Sequence, residues 1–100
     1  MFVAMNKFKI VLGKEEEFIG IWRNRDTYLQ AVPGFVQFHL VKGDASDDFA
    51  LFATHSIWDS RAAFENWTKS EAFRKAHANA GEIKGIYLGP PQFEGFESVL

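Results

Sequence analysis

Three side chains in this 100-residue chain are hard to justify by packing alone: Asn6, Trp67 and His77. In "SEAFRKAHANA" (70–80), Phe73, Ala76, His77 and Ala80 recur at i, i+3, i+4 and i+7, which is one face of a helix. The charged Glu71, Arg74 and Lys75 fall elsewhere, so His77 points where a core, or a ligand replacing core, belongs. It is then either a hydrogen-bonded core residue or a neutral metal ligand, binding through one ring nitrogen while the other donates to a second acceptor. No histidine or carboxylate stands at i±3 or i±4 from it, so its helix supplies no multi-ligand zinc or non-haem iron site. A metal that brings most of its own coordination sphere needs only one such residue. Haem iron is such a metal, and a proximal histidine is a common way to hold it.

Asn6 stands on a strand face between Ala4 and Phe8, and asparagine is poorly suited to strand interiors. A buried, unpaired amide costs roughly 1–3 kcal/mol. It therefore either bonds a nearby loop or aims into a pocket, where it can hydrogen-bond bound oxygen. Trp67 follows Phe64 by one turn and ends its helix just before a break; it is a core anchor or a rigid indole set over a flat ligand. Arg25 falls near the apolar stripe of the first helix with Arg23 beside it. A guanidinium there is either surface or a pocket-rim partner for carboxylates. His39 and His55 read as partly exposed strand positions. His55 and Ser56 point to opposite faces of one strand and cannot form a catalytic pair.

The elements that carry these residues follow from periodicity. "FVAMNKFKIV" (2–11) alternates as a strand with Phe2, Ala4, Asn6, Phe8 and Ile10 on one face, and Gly13 ends it. "KEEEFIGIWRNRDTYLQAV" (14–32) reads as one helix, with Glu15, Glu16 and Glu17 in the first turn where the helix dipole favours negative charge. "VPGF" stops it. Strands follow at 35–42 and 49–58, then a helix "RAAFENW" capped by Asp59 or Ser60. A second helical piece runs to about Ala80, where Thr68 and Glu71 have the spacing of a capping box. A short strand at 86–88 and a last strand in "QFEGFESVL" complete the chain. The order β-α-β-β-α-β is an α+β, ferredoxin-like antiparallel sheet with helices on one face. The third strand is apolar on both faces, with Phe49, Leu51, Ala53 and Ile57 on one and Ala50, Phe52 and Trp58 on the other. Two helices cover only one face of a four-stranded sheet, which predicts a homodimer whose second copy covers the other.

Composition narrows the function classes. The formal net charge is −2 with lysines and arginines scattered, which argues against nucleic acid, and no basic amphipathic helix suggests a membrane surface. There is no cysteine, so disulfides, thiolate metal sites and cysteine nucleophiles are excluded. No apolar run approaches the roughly 18 residues of a membrane span, and "MFVAMNKFKIV" does not read as a secretion signal, so a cytoplasmic protein is expected. Sixteen residues are aromatic, 11 of them phenylalanine; this suits either a core of large rings or a pocket for a flat apolar ligand. A Gly-rich phosphate loop and a flavin or nicotinamide motif are both missing.

Taken together, "AMNKF" in the first strand, "VPGF" before the second and the run W-x-S-x-x-x-F-x-x-W-x-x-S-x-x-F-x-x-x-H from Trp58 to His77 resemble the antibiotic-biosynthesis-monooxygenase (ABM) superfamily of small dimeric α+β barrels. Within it the likeness is to the bacterial haem-degrading monooxygenases of the IsdG type, and it covers nearly the whole chain as one ABM domain, residues 1–100. The resemblance implies a catalytic set of Asn6, Trp67 and His77, with haem as both substrate and oxygen-activating cofactor. His77 would ligate the iron, Asn6 would hydrogen-bond the iron's other ligand, and Trp67 would ruffle the porphyrin, with Phe73 and Arg25 beside the macrocycle. O2 and an external electron-donating reductase complete the reaction, which opens the ring and releases iron. The compact "ANAGEIKGIYLGPP" (78–91) departs from the longer segment of such proteins, so the resemblance leaves the ring-opening position open. The same pocket would serve a cofactor-independent ABM monooxygenase acting on a quinol or polyketide-like aromatic, or a non-catalytic haem-binding dimer.

Overall fold

The structure, a computed structural model, describes residues 1–44, 46–76 and 85–100. Ala45 and residues 77–84, and with them the expected His77 and Ala80 of the apolar helix face, lie outside the described residues. The chain runs β1 (Phe2–Ile10), α1 (Glu15–Asn24), β2 (Phe35–Lys42), β3 (Ala50–Trp58), α2 (Arg61–Thr68), α3 (Glu71–Ala76) and β4 (Gln92–Glu97). The strands form one antiparallel sheet in the order β2-β3-β1-β4, the ferredoxin-like arrangement expected from the sequence. β1 is therefore an inner strand, paired to β3 from Phe2↔Trp58 to Ile10↔Ala50 and to β4 from Phe2↔Glu97 to Lys7↔Gln92.

The expected alternation holds on β1. Phe2, Ala4, Phe8 and Ile10 are buried toward the helices, and Asn6 shares their face. From β3, Ala50, Phe52, Ser56 and Trp58 enter the same layer. Two apolar clusters result. One gathers Phe8, Ile10, Phe18, Phe52 and Ile86 under α1, and the other gathers Phe2, Leu29 and Trp58 under α2. Each fully buried ring stabilises the fold by roughly 1.5–3 kcal/mol.

Where local chemistry differs from the sequence expectation, side-chain hydrogen bonds explain the change. The first helix ends at Asn24 rather than Val32. The Asp26 carboxylate accepts from the Tyr28 backbone N–H at 2.9 Å, Tyr28 adopts a left-handed conformation (φ 58°), and a 3-10 turn follows at Leu29–Ala31. Short polar side chains offer the backbone such local alternatives to the helix, and Asn24, Asp26 and Thr27 cluster here. Arg25 consequently leaves the helix in an extended conformation. The capping box at Thr68 and Glu71 does not form. Ser70 Oγ accepts from Phe73 N at 3.2 Å and so starts α3, while Thr68 Oγ1 donates back to the Glu65 carbonyl at 2.7 Å. Glu71 is the first residue of α3, too early to close the box. Ser60, not Asp59, caps α2, its Oγ accepting from Ala63 N at 3.1 Å. The short strand expected at 86–88 is a single bridge, Ile10↔Tyr87.

Gly34 of "VPGF" has a strict role. Its φ is +84°, its carbonyl accepts from Asp59 N at 2.8 Å, and a Cβ there would lie 2.5 Å from that of Ala63. The close approach seats the start of α2 on the turn that leads into β2, beside the end of β3.

Candidate active site

Between the helices and the sheet lies a cavity of about 680 Å³. Its floor is the shared face of β1 and β3: Ala4, Asn6, Phe8, Thr54, Ser56 and Trp58. Trp22 and Arg25 wall one side, Phe64, Trp67, Phe73 and Ala76 another, and Tyr87 and Phe93 the rest. The size suits a ligand-binding pocket, and the lining is mostly apolar and rich in aromatic rings, with a few polar groups.

The floor is fixed by hydrogen bonds as well as packing. The indole Nε1 of Trp58 donates to Ser56 Oγ at 2.9 Å, and that hydroxyl donates to the Ala4 carbonyl at 3.4 Å. Asn6 lies opposite Thr54 on β3 and Phe93 on β4. Its carboxamide has no hydrogen-bond partner among the described residues, yet it is not sealed from the cavity that it lines. Of the two roles open to this residue, the loop anchor is not made among the described residues, and a polar group facing the cavity is.

Trp67 proves to be both anchor and wall. Its ring centroid lies 5.2 Å from Trp58 and 5.9 Å from Phe64, and 4.8 Å from Phe73 in an edge-on arrangement at 84°. Phe73 thus buttresses the indole while lining the cavity itself. Ser70 Oγ donates to the Trp67 carbonyl at 2.6 Å, so the break between α2 and α3 is hydrogen-bonded at the residue that shapes the cavity. The structure therefore brings Asn6, Trp67, Phe73 and Arg25 to one cavity; His77 lies outside the described residues. His39 and His55 are cross-strand partners on β2 and β3, neither of them in the cavity lining.

Arg25 is half-buried, with its guanidinium carbon 4.4 Å from the Trp22 ring centroid, and Trp22 in turn stacks on Phe38 at 5.7 Å and 30°. A stacked guanidinium of this kind gains about 0.5–2 kcal/mol while its N–H groups stay available. The indole N–H of Trp22 is buried without a hydrogen-bond partner among the described residues. Burial raises the Tyr87 phenol above its ordinary value of 10.0, against the opposing charge of Arg25. The phenol therefore stays protonated, and a donor, through the neutral range.

Sequence periodicity identified Trp22 only as part of a stripe and did not single out Tyr87. The available signal was a polar-tipped aromatic between the glycines and prolines of "GIYLGPP" (85–91), a poor place for a ring unless something packs on it.

Among the described residues no helix is long and apolar enough to cross a membrane. Residues 1–79 match the antibiotic biosynthesis monooxygenase family. A heme-degrading monooxygenase of Bacillus thuringiensis is 27% identical over 88 residues, covering 88% of this chain and 81% of the relative. The fold is similar to that of the heme-degrader MhuD from Mycobacterium tuberculosis, solved with two hemes in its active site (TM-score 0.76, 24% identity, 100% of this chain and 97% of that one). It is also similar to SnoaB, a cofactor-independent oxygenase from Streptomyces nogalater (TM-score 0.70, 17% identity, 99% and 93%). With a family match that spans most of its length and a sheet, helices and cavity arranged to suit it, the chain belongs to the antibiotic biosynthesis monooxygenase family and is a monooxygenase.

Proposed function

We propose that this chain, as a single domain over residues 1–100, is a haem-degrading monooxygenase that opens the porphyrin ring with O2 and external electrons and releases the iron. The observation that carries this reading is that Asn6 and Trp67 line one largely apolar cavity: the carboxamide has no hydrogen-bond partner among the described residues, and the indole is packed against Trp58 and Phe73. The residues present fit a flat macrocycle. Rings from Phe8, Trp22, Trp58, Phe64 and Phe93 offer apolar contact, and Arg25 is the one charged side chain among the described lining residues. When bound, haem supplies an iron that activates oxygen and the carbon that is attacked.

The chain's own residues bind, orient and exclude water. His77 would hold the iron through a ring nitrogen; in support, Ala76, the residue before it in sequence, is buried and lines the cavity. Asn6 offers an amide donor and a carbonyl acceptor to orient oxygen from the floor. Trp67, backed by Trp58 and Phe73, would press on a bound macrocycle and resist being displaced. Distortion of the ligand costs free energy that burial of its apolar area offsets. Electrons come from a separate reductase.

The working unit is a homodimer, in the cytoplasm. Its support is the sheet face turned away from the helices, which carries Val3, Met5, Leu51, Ala53, Ile57 and the half-exposed Phe96. Analytical ultracentrifugation at micromolar concentration is expected to give a two-chain mass; a monomer throughout that range removes the dimer.

Hemin titration tests the function itself. A Soret band that saturates at one haem per chain and then fades under oxygen with a reductant and catalase is the expected result. A stable band makes the protein a haem carrier. No band at all leaves the cavity to a quinol or polyketide-like aromatic.

A further inference from the structure

One end of the cavity gathers two hydrogen-bond donors, the Arg25 guanidinium and the Tyr87 phenol, with no acceptor bonded to either among the described residues. Trp22 and Tyr87 flank Phe8, whose ring lies 6.3 Å from Trp22 and 6.1 Å from Tyr87, while Arg25 stacks on Trp22 and its charge is felt at the Tyr87 phenol. Among the described residues no carboxylate comes within ion-pair distance of Arg25, and none lines the cavity. The Tyr87 hydroxyl likewise makes no hydrogen bond to a described residue, although a half-buried phenol ordinarily finds one. A half-buried cation beside a phenol that donates to no described residue is costly unless an acceptor arrives, and an anionic acceptor gains most.

Tyr87 is also held firmly enough to select. The backbone on either side of it is tied to the end of β1, by Val11 N donating to the Ile86 carbonyl at 2.8 Å and Leu88 N to the Lys9 carbonyl at 2.9 Å. Its ring stands edge-on to Phe18 at 5.9 Å and 86°, and the neighbouring Ile86 side chain is buried in the core. The phenol is thus built into the cavity wall.

We propose that Tyr87 is a specificity-determining residue that acts with Arg25 as a carboxylate clamp, so that the preferred ligand is a flat apolar molecule with an acidic substituent turned toward this end. The proposal rests on the haem reading for its ligand, in which the acidic substituents are the propionates. The clamp fixes the in-plane rotation of the macrocycle over Asn6, and so decides which edge of the ring meets the carboxamide.

The test is a titration of hemin and of hemin dimethyl ester, followed at the Soret band, into the wild type, Tyr87→Phe and Arg25→Gln. Wild type is expected to bind the diacid more tightly than the diester, and Tyr87→Phe to lose about tenfold for the diacid alone, as for one hydrogen bond to a charged group. Arg25→Gln should lose most of the discrimination between the two. Phenylalanine keeps the ring that packs on Phe8 and Phe18, so the melting temperature of Tyr87→Phe should stay near that of wild type. Equal affinity of the wild type for diacid and diester overturns the clamp and leaves haem binding intact. Equal weakening of both ligands by Tyr87→Phe also overturns it, since the ring would then serve packing alone. A wild type that binds neither porphyrin overturns the haem reading and the clamp with it.

Discussion

Asn6→Ala is expected to bind haem as tightly as the wild type and to degrade it about 10²-fold more slowly, the usual scale for removing one preorganised donor from an active site. The carboxamide sits on β1 between Thr54 and Phe93 and bonds to no other described residue, so alanine there strands no partner among them. Truncating a polar group that holds the fold together costs about 1–3 kcal/mol, whereas truncating one that only faces a cavity costs almost nothing. The variant should therefore melt at or slightly above the wild-type temperature. Single-turnover decay of the Soret band and a thermal melt on the same preparation settle the matter. Normal turnover removes Asn6 from the chemistry, and a sharply lower melting temperature returns it to a structural role.

The second large effect is expected at His77. His77→Ala should weaken hemin binding by at least about a hundredfold, because loss of an outer-shell partner alone commonly costs 10–100-fold and this change removes the ligand itself. The cavity walls formed by Phe8, Trp58, Phe64 and Trp67 stay in place, so metal-free protoporphyrin should still bind the variant. Free imidazole should restore the Soret band in part by occupying the vacated position. An unchanged spectrum in His77→Ala would show that the iron takes its protein ligand from elsewhere, or takes none.

Strand pattern and helix stripe were legible in the sequence because each depends on neighbours within a few positions. The face shared by Phe2, Ala4, Asn6 and Phe8 follows from alternation alone, and so did the suspicion attached to Asn6. Trp67 and Phe73 were visible for the same reason, as was the candidacy of Arg25 beside the first helix stripe. The break of that helix at Arg25 was hidden, because the hydrogen bond from Tyr28 N to Asp26 competes with a helix that the apolar period still favours. Ser70 was passed over for Thr68 because both can cap, and only the position of the break decides between them. Tyr87 was out of reach. Its importance depends on Arg25, which lies more than sixty positions away along the chain and on a different element.

The two sides of the cavity are tied into the sheet very differently. Asn6 belongs to a strand with a hydrogen-bonded neighbour on each side, whereas Tyr87 hangs from the last residues of that strand by two amide contacts. Local opening is cheapest where the fewest backbone bonds must break. The Asn6 carboxamide is therefore registered to the sheet by a ladder on both sides, while the Tyr87 wall owes its position to two amide contacts and the packing of its ring on Phe18.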